Sequence, residues 1–127
     1  MESVPVILVV EDEETLQEIV HEALKDGGFD LTTVASGQDA VAMIESGVVK
    51  YSALVTDINV KGPMKGWEVA RLVRQIDPAF PVVYMTGAAA DEWASEGVPN
   101  SILLNKPFAP AQLVTAVSQL LNTGSSN

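Results

Sequence analysis

The sequence predicts one α/β domain built on a parallel sheet with helices on both faces, and three observations lead to it. Strand-like runs alternate with helix-period segments five times in 127 residues, the pattern of consecutive βαβ units. Val6-Ile7-Leu8-Val9-Val10 and Ala53-Leu54-Val55 are almost wholly aliphatic, as strands buried on both faces must be. Both runs then finish in carboxylates, Glu11 with Asp12 in one case and Asp57 in the other. The carboxyl ends of strands in an open α/β sheet form the crevice where ligands bind.

The first strand covers about residues 5 to 10. Leu16, Ile19, Val20, Ala23 and Leu24 follow at helical spacing, and Gly27-Gly28 ends that helix. Asp30 to Ala35 is shorter and more polar, with Thr32 and Thr33, which suits a strand at the sheet edge. Ser36 is placed to cap a second helix with Asp39 in its first turn, Ala40, Val41 and Ile44 facing the core, and Gly47 closing it. The central strand Ala53 to Asp57 comes next. Asn59 to Gly66 is turn chemistry at the mouth of the crevice.

Val69, Leu72, Val73 and Ile76 mark the buried stripe of a third helix that Asp77-Pro78 stops. Pro81 to Met85 is the fourth strand, ending at Thr86-Gly87. A short fourth helix spans about Ala89 to Ser95, before Gly97 and Pro99. Ser101 to Leu104 is the fifth strand and runs into Asn105-Lys106-Pro107. The last helix has Pro110 in its first turn and Leu113, Ala116, Val117, Leu120 and Leu121 on one face. His21 lies off the apolar stripe and reads as a surface residue. Trp67 and Trp93 read as partial packing anchors.

Composition narrows the function. With 47% hydrophobic residues the chain can build a core, yet no apolar stretch is long enough to span a bilayer. Seven basic against seventeen acidic residues give a net charge of −10, which repels nucleic acid and anionic membrane surfaces. There is no cysteine and the N-terminal residues lack the pattern of a secretory signal, so a cytoplasmic location is expected.

Four of the five strands end in a reactive or hydrogen-bonding side chain: Glu11 and Asp12, then Asp57, Thr86 and Lys106. Taken singly, Asp12 suits a helix cap, Thr86 a turn and Lys106 a solvated charge; their convergence on one sheet edge is the signal. Carboxylates and carbonyls are hard ligands suited to Mg²⁺ or Mn²⁺, whereas a chain with no cysteine and one remote histidine does not suit zinc. A divalent cation would relieve the repulsion of three clustered acids and grip a phosphoryl oxygen. An aspartate carboxylate can itself be the nucleophile, giving an acyl phosphate, and Asp57 is the choice.

Through Glu11-Asp12, Asp57, Thr86-Gly87 and Lys106-Pro107-Phe108, and over nearly its whole length, the chain resembles the receiver domain of two-component response regulators. The resemblance implies a flavodoxin-like (βα)5 three-layer sandwich with a parallel sheet of order 2-1-3-4-5, formed by residues 1–122, with 123–127 as a flexible tail. It implies that Asp57 takes a phosphoryl group from a histidine kinase or phosphotransfer protein, or from a small donor such as acetyl phosphate. Glu11, Asp12, Asp57 and the backbone carbonyl of Asn59 would hold Mg²⁺. Lys106 would pair with the phosphoryl group, the peptide bond before Pro107 would be cis, and Thr86 would swing inward. That swing would repack the face made by the fourth helix, fifth strand and fifth helix.

Two departures stand out. The family often carries an aromatic residue three positions before the lysine, where this chain has Leu103. Lys61 and Lys65 bring positive charge to the loop where the family often has Pro, Gly or Asp, and either attract a donor or partner or are simply solvated. Asn59 and Ala88 match positions that tune acyl-phosphate hydrolysis in the family.

The expectation is a single-domain regulator that catalyses only its own phosphorylation and dephosphorylation. The alternatives are a receiver fragment of a hybrid histidine kinase and a non-phosphorylated interaction module of the same fold. A flavin binder of this architecture is opposed by the four acids Glu11 to Glu14 where a phosphate cradle would lie. A small-molecule phosphatase would need a covered pocket.

Overall fold

In a computed structural model that describes residues 4–125, five strands form one parallel sheet in the order β2-β1-β3-β4-β5. They are β1 (Val6–Val10), β2 (Asp30–Val34), β3 (Ala53–Asp57), β4 (Val82–Thr86) and β5 (Ile102–Asn105). The helices are α1 (Glu14–Asp26), α2 (Gly37–Ser46), α3 (Gly66–Ile76), α4 (Trp93–Glu96) and α5 (Pro110–Ser125), with a 3₁₀ turn at Ala90–Glu92 leading into α4. The fold is the flavodoxin-like arrangement expected, and the more polar β2 is an edge strand.

Side chains alternate across the pleat, and each inner strand therefore feeds two cores. Leu8 and Val10, Leu54, and Val82 and Tyr84 join Ala40, Val69 and Val73 beneath α2 and α3. Ile7 and Val9, Val55, and Val83 and Met85 join Val20, Leu24, Leu113 and Val117 beneath α1 and α5. Continuous apolar strands are the consequence of having no solvent face.

Helix ends follow local chemistry. Ser36 caps α2 by accepting from the Asp39 amide at 3.1 Å, and Gly47 closes it in the left-handed region. Gly66 begins α3 pressed against the end of β3: a Cβ there would lie 2.5 Å from the Asp57 carbonyl oxygen. Only glycine lets α3 approach that closely.

Some expectations change. Ile19 and Ile76, read as core, are 41% and 56% exposed, because Ile19 lies at the flank of a buried face centred on Val20, Ala23 and Leu24 and Ile76 is the last residue of α3. Trp67 is buried rather than partial and packs edge-on against Tyr84, ring centroids 4.7 Å apart. Trp93 does remain partly exposed and donates its indole N–H to Ser101. Helix α5 continues through Thr123, Gly124 and Ser125, residues expected in a flexible tail, since adding a hydrogen-bonded residue to a formed helix costs little. Ser126 and Asn127, the rest of that tail, lie outside the described residues.

Candidate functional site

Strand order decides which side chains meet. β1 and β3 are neighbours with Val10 opposite Thr56, so the next residues, Glu11 and Asp57, leave the sheet at the same level. This is where strand order reverses, the position of ligand crevices in open α/β sheets.

Glu11 and Asp57 are both buried there. Glu11 Oε2 accepts the Glu13 amide at 3.0 Å, which folds the carboxylate back over the start of α1. Asp12 does not cap that helix: the cap position belongs to Glu13, and Asp12 Oδ2 instead accepts the Lys61 amide at 3.2 Å. That bond draws the loop after β3 across to the end of β1. Glu11, Asp12 and Asp57 each offer an oxygen within 4.8 Å of the others.

Lys106 arrives from β5. Its amide donates to the Thr86 carbonyl at 2.7 Å, and the bond to Pro107 is cis. The ammonium lies 3.2 Å from Asp57 Oδ1 and 3.5 Å from Glu11 Oε1. Glu11, Asp12, Glu13, Asp57, Lys61 and Lys106 together line one open pocket.

The acids crowd one another. Burial pushes the Glu11 carboxyl above its ordinary value; the Glu13 amide opposes this, Asp57 adds to it, Lys106 opposes it and Asp12 adds to it. Glu11 Oε1 is buried and has no hydrogen-bond partner among the described residues. Its one charged partner is the Lys106 ammonium at 3.5 Å, shared with Asp57; a buried carboxylate oxygen so thinly compensated is costly, and with two further carboxylates beside it the donor set fits a small, hard divalent cation.

The remaining expected residues stand slightly apart. The Asn59 amide donates to Asp57 Oδ1 at 3.4 Å. Thr86 is fully buried, and its hydroxyl accepts from the amides of Ala88 at 3.1 Å and Ala89 at 2.7 Å. Neither lines the pocket. Lys61 does line it; the sequence places it in the loop at the mouth of the crevice, as a charge that either attracts a donor or partner or is solvated, and not among the catalytic or metal-holding residues.

Residues 7–118 match the family model described as "Response regulator receiver domain". The response regulator receiver protein CpdR of Brucella abortus (strain 2308) is 31% identical over 117 residues, covering 91% of this chain and 95% of that protein. The transcriptional regulatory protein TcrA of Mycobacterium tuberculosis (strain ATCC 25618 / H37Rv) is 34% identical over 120 residues, but this chain spans only 46% of its length. Among solved structures, a response regulator receiver protein from Sinorhizobium medicae WSM419 superposes with a TM-score of 0.91 at 51% identity, covering 94% of this chain and 96% of that one. With the acidic pocket at the switch point of a CheY-like fold, these matches make the chain a member of the response regulator receiver domain family.

Proposed function

We propose that this receiver accepts a phosphoryl group on Asp57 from a histidine kinase or phosphotransfer protein, and also from small acyl phosphates. The observation that carries the reading is the state of the Asp57 carboxylate. Oδ1 holds Lys106 and the Asn59 amide, while Oδ2 accepts no hydrogen bond among the described residues and opens on the pocket. One oxygen is oriented and the other is free to attack.

In the transfer an Asp57 oxygen forms a bond to phosphorus. The bond to the donor breaks with its electron pair, releasing acetate from acetyl phosphate, or neutral imidazole from a phosphohistidine protonated at its other ring nitrogen. Lys106 is placed to follow the charge, exchanging its contacts with Asp57 and Glu11 for a phosphoryl oxygen. Mg²⁺, with Mn²⁺ the second candidate, held by Glu11, Asp12, Asp57 and the backbone carbonyl of Asn59, would supply charge neutralisation and grip on the phosphoryl group. Thr86 has to release the Ala88 and Ala89 amides before its hydroxyl turns to the new phosphate, and the change is read on the face of α4, β5 and α5. The domain works in the cytoplasm, without direct contact to nucleic acid or membrane.

The test is incubation with acetyl phosphate and Mg²⁺ followed by intact mass measurement. Wild type gains one phosphoryl group and Asp57→Asn gains none. A wild type that stays unmodified, or an adduct that survives in Asp57→Asn, overturns the reading and favours an interaction module of the same fold.

A further inference from the structure

Lys61 is the second cation of the acidic pocket, and it differs from Lys106 in being unengaged. Lys106 is divided between Asp57 and Glu11. Lys61 lies on the same pocket wall as four carboxylates, is exposed, and makes no ion pair among the described residues. Its backbone is nonetheless fixed, because its amide donates to Asp12 Oδ2 at 3.2 Å. The structure thus holds an uncommitted ammonium on a short tether at the rim of the pocket.

An incoming phosphodonor needs such a group. The chain carries a net charge of −10 and four of the six pocket residues are acids, so a doubly charged anion approaches against the field of the whole molecule. Lys106 sits deeper and is already neutralised by two carboxylates. An exposed ammonium at the rim meets the donor first and can hold the outer phosphoryl oxygens while the reacting centre descends toward Asp57.

We propose that Lys61 is a specificity-determining contact for the phosphodonor: it binds the outer oxygens of the phosphoryl group and favours small dianionic acyl phosphates over monoanionic donors. The inference rests on Asp57 being the acceptor. Because the bond to Asp12 uses the backbone amide, the side chain can be exchanged without losing the loop anchor.

The experiment compares wild type with Lys61→Ala, Lys61→Arg and Lys61→Glu, each with Mg²⁺. The donors are acetyl phosphate, a dianion at neutral pH, and phosphoramidate, a zwitterion of single net charge whose N–P bond breaks to release ammonia. At low salt, Lys61→Ala is expected to lower the acetyl phosphate rate constant at subsaturating donor by about three- to tenfold, with the saturated rate changing less. Lys61→Glu falls further and Lys61→Arg stays near wild type. The loss is smaller with phosphoramidate and shrinks at high salt, while unfolding midpoints stay unchanged.

Lys61→Ala and Lys61→Glu reacting at wild-type rates with both donors at low salt overturn the role of Lys61 and leave Asp57 as acceptor. Binding of trifluoroberyllate, a phosphoryl mimic that needs no donor, gives a second reading: weaker binding in Lys61→Ala supports the contact. A wild type that neither binds it nor reacts with either donor overturns both readings.

Discussion

Tyr84 and Thr86, two residues apart on β4, hold opposite ends of one connecting segment through their hydroxyl oxygens. Thr86 Oγ1 accepts the amides of Ala88 and Ala89, where the segment leaves the strand, and Tyr84 Oη accepts the Val98 amide at 3.1 Å, where it turns toward β5. Side chains two apart share a face of the sheet, and on that face Tyr84 stands in register with Leu103. The family's usual aromatic on β5 is missing at Leu103, yet an aromatic hydroxyl does reach the α4 segment, from one strand further in. Burial pushes the Tyr84 phenol above its ordinary 10.0, against the opposing effects of the Val98 amide, Arg71 and Arg74, so it stays protonated at neutral pH.

Tyr84→Phe keeps the ring against Trp67 and strands the buried Val98 amide. The expected cost is about 1–3 kcal/mol, the range for a buried donor left without its acceptor. Urea unfolding measures the loss, and hydrogen exchange locates it, because the Val98 amide should lose protection ahead of the β1 and β3 amides. Unchanged stability together with unchanged Val98 exchange would remove Tyr84 from this role.

Gly66→Ala tests the packing that fixes Asp57. The added Cβ would meet the Asp57 carbonyl oxygen at 2.5 Å and the Ile58 Cα at 2.9 Å, both backbone atoms that cannot rotate aside. At the first position of α3 alanine gains less than the roughly 1 kcal/mol it holds over glycine in a helix interior, whereas overpacking against backbone costs about 1–3 kcal/mol, and displacement of Asp57 should slow its phosphorylation as well. A variant as stable and as reactive as wild type would mean that α3 backs away freely.

The strand ends were legible because composition changes abruptly there. Ala53-Leu54-Val55 is apolar and gives way to Thr56 and the Asp57 carboxylate, and β3 has the bounds Ala53–Asp57. Helical periodicity identifies the buried faces of α1 and α3 but carries no information on how wide the covered face is or at which turn it ends, hence the exposure of Ile19 beside buried Val20 and of Ile76 at the end of α3. The bond from Lys61 to Asp12 joins residues 49 apart, a separation at which no local pattern speaks. Tyr84 sits inside an aliphatic run, where nothing distinguishes a packing ring from one whose hydroxyl anchors a distant amide.

Arg74 joins the segments entering β4 and β5. Its Nε donates to the Phe80 carbonyl at 2.6 Å, Nη1 to Pro99 at 2.7 Å and Nη2 to Asn100 at 3.4 Å. The planar fork serves separate carbonyls in a way a single ammonium cannot. Arg74→Lys is therefore expected to lose about 1–3 kcal/mol in denaturant unfolding while its charge is retained. If lysine restores full stability, charge rather than geometry holds these segments.

The last prediction concerns Glu11, where stability and function pull apart. Burial, reinforced by Asp57 and Asp12 and opposed by the Glu13 amide and Lys106, raises its carboxyl above the ordinary 4.5. The folded state therefore keeps this proton after the unfolded chain has released it. As pH rises from 4.5 through the folded value, folding loses stability, and the deficit is fully present at neutral pH. Glu11→Gln cannot ionise, so without divalent cations its unfolding midpoint should exceed that of wild type at pH 7, with the difference narrowing as pH falls from the raised folded value toward 4.5. A bound cation reverses the ranking: ligand at a hundred times its dissociation constant adds about 2.7 kcal/mol to the form that binds it, and Mg²⁺ should raise the wild-type midpoint while leaving Glu11→Gln nearly unmoved. Thermal unfolding at two pH values, with and without Mg²⁺, reads both effects. Equal midpoints at pH 7 without metal would show that the carboxylate carries no burial cost, and a Mg²⁺ shift persisting in Glu11→Gln would place the cation on other ligands.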